Sequence, residues 1–299
     1  NYVGAEHLLL ALIREEEDLL PGIRFMGDYD DTIILEARAT KDPAEIEEIR
    51  KMGEITVGVV RRVEEFLSNH KVVDETLIKE DGTALTIGDV KSLINLWLAE
   101  AGAENPEATI FAIGRDGGIP HSSGTPSDPL KLGKSIVFDI FPCQAGGGYF
   151  YDFTRTWCLG YAPEEVQHAY EQVRQVYHQV ANELKLGEQA SKYQDLTCEL
   201  FEEMGHETIR QNATVEEGYI HSVGHGLGLN VHEKPWLGRQ PDPNNILRIG
   251  SVFTLEPGLY YPSKGYGIRI EDTWYVTEDG RFEKFVDYPM ELVIPMKGG

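Results

Sequence analysis

Apolar side chains recur along this chain in a helical rhythm followed by a strand rhythm, and the succession occurs twice. From Lys41 onward, Ile46, Ile49, Gly53, Thr56, Val60, Val63 and Leu67 fall at helical spacing and give one apolar face. The start of that helix is marked. Asp42 can cap it, Pro43 suits its first position, and Glu45 completes a capping box. A second helix is predicted from Thr86, with Ile87, Val90, Ile94, Trp97 and Ala101 on one side and Gly102 as its stop. Strand-like TIFAIG and SIVFDIF come next, separated by a Gly/Pro/Ser-rich loop that contains His121. A turn at Gly146, Gly147 and Gly148 then leads into YFYDFTRTW, a further strand.

The second half repeats this order. A long helix is predicted from about Pro163, carrying Val166, Tyr170, Val173, Tyr177, Val180 and Leu184, and another over residues 191 to 204 with Gly205 as its stop. After a glycine- and histidine-rich stretch, SVFTLEP and YGIRIEDTWYV read as strands, and a last strand pattern falls near residues 282 to 294. The doubling predicts an α+β fold with an internal pseudo-repeat. Residues 1 to 40 differ: a short helical pattern (Leu8, Leu9, Leu12, Ile13), an acidic patch and strand-like TIILEA hold too little apolar surface to fold alone. They are expected to be the end of an N-terminal domain plus linker, with the main domain over 41–299.

Composition narrows the partners. At 299 residues and 41% apolar the chain can bury a sizeable core. A formal charge of −23 argues against nucleic acid and against an anionic membrane, since both would repel it. The apolar run over residues 8 to 13 is too short to span a bilayer. Three cysteines, Cys143, Cys158 and Cys198, show no CxxC spacing, so a reducing, cytoplasmic setting is expected.

The candidate chemistry lies where carboxylates interrupt apolar strands. Asp139 breaks the run Ser-Ile-Val-Phe, and an ionised carboxylate there is costly unless paired or bound to metal. Asp152 stands beyond the glycine turn, where hairpin pairing would set it beside Asp139, and Thr154 and Arg155 follow it as orienting groups. Glu256 ends the strand Val-Phe-Thr-Leu, and Glu271 comes in Gly-Ile-Arg-Ile-Glu-Asp, on what reads as a second hairpin. Between them runs HSVGHGLGLNVHE, with His221, His225, His232 and Glu233 among glycines. The seven-residue spacing of His225 and His232 excludes the helical HExxH zinc signature. A carboxylate-rich site with one histidine favours manganese, iron or cobalt over a structural zinc.

Taken in order, IPH at His121, FDI at Asp139, DFTRT at Asp152, GHGLGLNVHE, LEPG at Glu256 and RIEDT at Glu271 resemble the pita-bread metallopeptidases, over about residues 41 to 295. That family contains the methionine aminopeptidases, aminopeptidase P and prolidase, and the Xaa-Pro-cleaving branch is the most similar. KDPAEIEEIRKMG also resembles the start of the catalytic domain in prolidase-like members. The resemblance implies two pseudo-symmetric halves of helices packed on a curved, mostly antiparallel sheet.

It also implies that Asp139, Asp152, His225, Glu256 and Glu271 ligate two divalent ions, Mn²⁺ first and Co²⁺, Fe²⁺ or Zn²⁺ as alternatives, with Asp152 and Glu271 bridging. The expected reaction is hydrolysis of the bond before proline, by a water activated between the ions. Glu256 would shuttle the proton, His232 would stabilise the oxyanion, and His121 would steer the substrate or its leaving nitrogen. His221 and Arg269 are expected to face the substrate, a peptide with proline at its second position. Glu233 receives no metal role and is left to hold His232 in place. A homodimer is implied too. The rival readings are a methionine aminopeptidase-type exopeptidase and, on the same fold, a lyase, an amidinohydrolase or a binding-only protein.

Overall fold

The computed structural model describes residues 32–238, 242 and 244–298. Two compact units are present, Asn1–Ala37 and Arg38–Gly299. The leucine-rich pattern at Leu8 to Ile13 lies outside the described residues. TIILEA corrects a prediction, because it belongs to the helix Thr32–Arg38 and not to a strand. Leu, Glu, Ala and Arg are strong helix formers, and among the described residues no strand pairs with this segment to override them.

The larger unit contains the doubled layout. Helix Pro43–Ser68 starts with the predicted capping box: the Asp42 carboxylate accepts from the amides of Ala44 and Glu45, and the Asp42 amide donates to Glu45. Helix Ile87–Glu100 starts with a second box, formed by Thr86 and Asp89. Their apolar faces bury Val60, Val63, Ile94 and Leu98 against a sheet whose strands run in the order Val293–Ile294, Phe153–Leu159, Ser135–Ile140, Ile110–Ile113. In the second half, helices Glu164–Asn182 and Ser191–Glu203 pack Val173, Val180 and Phe201 in one core with Phe253 and Leu255. There the strand order is Phe282–Lys284, Asp272–Val276, Val252–Leu255, His225–Gly226, Glu233–Trp236.

Register decides where the acids stand. Strands Ser135–Ile140 and Phe153–Leu159 are antiparallel with Asp139 opposite Thr154, so Asp152 is the diagonal neighbour of Asp139. The second acid pair arises differently from the single hairpin that was predicted. YGIRIEDTWYV breaks at Ile270: Tyr266–Arg269 pairs with Gly258–Tyr261, while Asp272–Val276 pairs with Val252–Leu255. Glu256 and Glu271 occupy the junction between these nested hairpins. The pattern near residues 282 to 294 likewise gives two strands in two sheets, and Val293–Ile294 runs parallel to Phe153–Leu159.

The halves are joined beside these acids. Glu271 donates its amide to the Thr154 carbonyl at 3.0 Å. Arg155, fully buried, donates to the carbonyls of Thr154, Glu271, Tyr288 and Pro289 and to the Asp272 carboxylate, which uses all five of its N–H groups. The other Asp272 oxygen accepts from the Tyr177 hydroxyl at 2.5 Å. Removing one partner of a buried ion pair leaves an uncompensated charge. Arg155→Met should therefore cost about 3–5 kcal/mol in urea unfolding of the metal-free protein. A cost below about 1 kcal/mol would show that the pair does not join the halves.

Candidate metal centre

All five predicted ligands line one cavity of about 490 Å³, together with His121, His221, His232 and Arg269. Asp139 and Asp152 are buried at 7% and 4% exposure, His225 at 7% and Glu271 at 1%. Asp152, His225 and Glu271 each present a ligand atom within 4.8 Å of the others'. The His225 Nε2 lies 3.6 Å from Asp152 Oδ2 and 3.6 Å from Glu256 Oε1, too far for hydrogen bonds but around one common point.

The fit to a cation is shown by oxygens without partners. Asp139 Oδ1, Asp152 Oδ1 and Glu271 Oε1 are buried and accept no hydrogen bond. Buried acceptors are almost always satisfied, so three orphans on residues that line one cavity fit a positive ion there. Two of the oxygens beside them are held. Glu271 Oε2 accepts from Thr154 Oγ1 at 2.7 Å, and Asp139 Oδ2 accepts from Arg269 Nη2 at 2.5 Å.

The electrostatics agree. Burial, then the neighbouring Glu271, pushes the Asp152 carboxyl well above the usual range. Burial, then Glu256, does the same to Glu271, and burial pushes Glu256 up to about 8. Burial also lowers His221 and His225 to about 3, so both imidazoles are neutral at physiological pH. His225 Nδ1 lies 3.0 Å from the Gly226 carbonyl and donates to it, which leaves Nε2 as the free lone pair facing the acids.

The histidine-rich loop reaches the site because its glycines pack against backbone. A Cβ on Gly224 would meet the Thr254 carbonyl oxygen at 2.0 Å, and one on Gly226 would meet that of Lys234 at 2.1 Å. His225 is pinned between them and donates its amide to Thr254 Oγ1 at 3.1 Å. His121 and His232 are exposed in the cavity, and the His232 ring centroid stands 4.3 Å from that of His225. His221 is fixed at both ends, with Nδ1 donating to the Ser222 carbonyl at 2.7 Å and Nε2 accepting from the Tyr260 hydroxyl at 2.8 Å.

Arg269 lines the cavity, but its guanidinium is committed to protein. Besides Asp139, it donates to Tyr260 Oη at 2.8 Å and to the Pro120 carbonyl and Thr154 Oγ1, both at 3.3 Å. Its visible work is to orient Asp139 and Tyr260. Tyr260, a buried bridge between Arg269 and His221, escaped the sequence reading. GLYY carries no polar signal beyond the hydroxyl itself.

The model of metallopeptidase family M24 matches residues 47–278. The chain belongs to metallopeptidase family M24. It is 32% identical over 252 residues to an Xaa-Pro dipeptidase from Pyrococcus furiosus, a match covering 84% of this chain and 64% of that relative. Among solved structures, an X-Pro aminopeptidase from Thermotoga maritima is similar with a TM-score of 0.77 at 26% identity, covering 95% of this chain and 72% of that one. The prolidase from Pyrococcus furiosus has a TM-score of 0.71 at 28% identity, covering 87% and 68% of the two chains. The M24 chain thus spans just under two thirds of the curated relatives' length, and has their pita-bread fold. The family and the donor set together imply divalent metal ions. Among the described residues no helix is long and apolar enough to cross a membrane.

A pH dependence of stability follows from the raised carboxyls. An unfolded glutamate titrates near 4.5 and folded Glu256 near 8, so between these values the folded state holds the extra proton. The contribution of Glu256 to the stability of the metal-free protein must fall as pH rises through that window. The buried histidines, lowered from 6.5, oppose this trend until they are neutral in the unfolded state too, about one pH unit above 6.5. The melting temperature without metal should therefore drop from about pH 7.5 to 8.5, and added Mn²⁺ should raise it more at the upper end of that range than at the lower. A metal-free melting temperature that climbs over this range would contradict the assigned cluster.

Proposed function

We propose that this M24 protein is a metal-dependent exopeptidase that hydrolyses the bond preceding a proline, with residues 41–299 as its catalytic domain. The reading rests on the convergence of four acids and a neutral imidazole from both halves of the fold, with three orphaned carboxylate oxygens, on one cavity. Similarity to proteins named for Xaa-Pro cleavage supports the substrate class.

Asp139, Asp152, His225, Glu256 and Glu271 would hold two divalent ions, Mn²⁺ before Co²⁺, Fe²⁺ or Zn²⁺. Bound there, the ions supply Lewis acidity and lower the pKa of a water. The chain's own groups do the rest. Glu256 retains 14% side-chain exposure, the most open of the acids in these contacts, and takes the proton of the attacking water. That proton is delivered to the leaving nitrogen, which as a proline nitrogen carries none in the peptide. His232 donates to the oxygen of the carbonyl under attack, and His121, across the same cavity, orients the peptide. His221, held by Ser222 and Tyr260, supports the wall beside Glu256, its Nδ1 standing 3.9 Å from Glu256 Oε2. The reading extends to a homodimer in a reducing, cytoplasmic compartment, which suits three buried free cysteines.

Exhaustive chelation should abolish hydrolysis of Xaa-Pro peptides, and Mn²⁺ or Co²⁺ should restore it. Cleavage that survives metal removal would sink the proposal, and faster cleavage of Met-Ala than of Xaa-Pro peptides would move it to a methionine aminopeptidase. Glu256→Ala should lower kcat by about 100-fold or more in folded protein. A near-normal rate would remove Glu256 from the proton path.

A further inference from the structure

Glu233 is next to His232 in the chain, yet it points away from the cavity and is 1% exposed. Its carboxylate meets two cations from the segment that opens the domain. Lys41 Nζ donates to Glu233 Oε2 at 3.1 Å, and Arg38 donates to Oε1. Oε1 also accepts the Asn230 amide at 2.9 Å, which closes the loop 230–233 on itself. Lys41 is fixed at its other polar atoms as well: its side chain donates to the Arg38 carbonyl and its amide to the Gly250 carbonyl, both at 2.7 Å. The loop is built around the pair. A Cβ on Gly228 would meet Glu233 Oε2 at 2.6 Å and Lys41 Cε at 2.8 Å, so only glycine leaves room for the ions. The Gly228 carbonyl in turn accepts the Phe150 amide at 2.7 Å, two residues before Asp152.

A buried ion pair contributes little net stability, because desolvation offsets the attraction. What it fixes well is geometry, and here the fixed loop carries a residue exposed over the metal cluster. We propose that Glu233, clamped by Lys41 and Arg38, is a positioning residue for His232, so that residues 38–41 set the placement of the oxyanion donor without touching the substrate. The proposal rests on the reading of His232 given above. A donor displaced by about 1 Å loses transition-state stabilisation while ground-state binding is nearly kept.

The test is a double-mutant cycle on the full chain loaded with Mn²⁺, using Lys41→Met, His232→Ala and the pair together. Lys41→Met should lower kcat by about 10-fold or more, with KM changed less than about threefold and metal content unchanged. In the His232→Ala background the same substitution should have no further effect on kcat. In metal-free protein, the histidine ring resonance that disappears in His232→Ala should shift in Lys41→Met. Lys41→Arg, which keeps the charge, should recover most of the lost rate. An undiminished effect of Lys41→Met without His232, or lost metal as the cause of the slower rate, would overturn the assignment. If Lys41→Met does not fold, Arg38→Gln, whose side chain is 27% exposed, replaces it in the cycle with about a threefold effect expected. A wild-type protein inactive on Xaa-Pro peptides would instead strike the functional reading, while the resonance shift would still judge the clamp.

Discussion

The constraint on which this structure turns is the confinement of four carboxylates around one small volume with too little positive charge among them. Among the described residues only Asp139 of the four has a guanidinium in contact, and three oxygens have no hydrogen-bond partner. Left alone, such groups retain their protons, as the raised position of Glu256, at about 8, indicates. The site is therefore strained against ionisation until cations arrive. The binding of divalent ions and the stability of the fold become one equilibrium.

Holding the acids in that state requires a rigid frame, and the frame is polar as well as apolar. Each half has its own core of helices over sheet. Between the halves, Arg155 gathers four carbonyls and Asp272, while Arg269 spans Asp139, Tyr260, Thr154 and Pro120. Both arginines belong to strands that carry or adjoin an acid of the cluster, so the orienting groups and the candidate ligands are held by the same strands. The Thr154 hydroxyl, between Glu271 and Arg269, ties the two networks at one atom.

The histidines of the glycine-rich loop divide by depth. His225 lies deepest, pinned by backbone contact on both sides. His221 is locked between a carbonyl and a tyrosine hydroxyl, and His232 is exposed over the cavity with only its neighbour's carboxylate anchored. In the proposed reading one short segment thus supplies a ligand, a wall and a reaching donor, distinguished by what each side chain meets.

Local chemistry made much of this legible in the sequence. The Asp42–Glu45 capping box, the apolar faces of the helices and the acids that break apolar strands are properties of neighbouring residues, and they located four helices, the doubled layout and the five candidate ligands. TIILEA was misread because a short apolar run has no secure period of its own. What only the tertiary structure decided depends on partners distant in the chain. The break at Ile270, the parallel docking of Val293–Ile294, and the pairing of Arg269 with an aspartate 130 residues away are choices of neighbour, which alternation along a strand cannot encode. Tyr260 and Lys41 acquired their places in the same way. Sequence set which residues would need a partner, and the fold chose the partner.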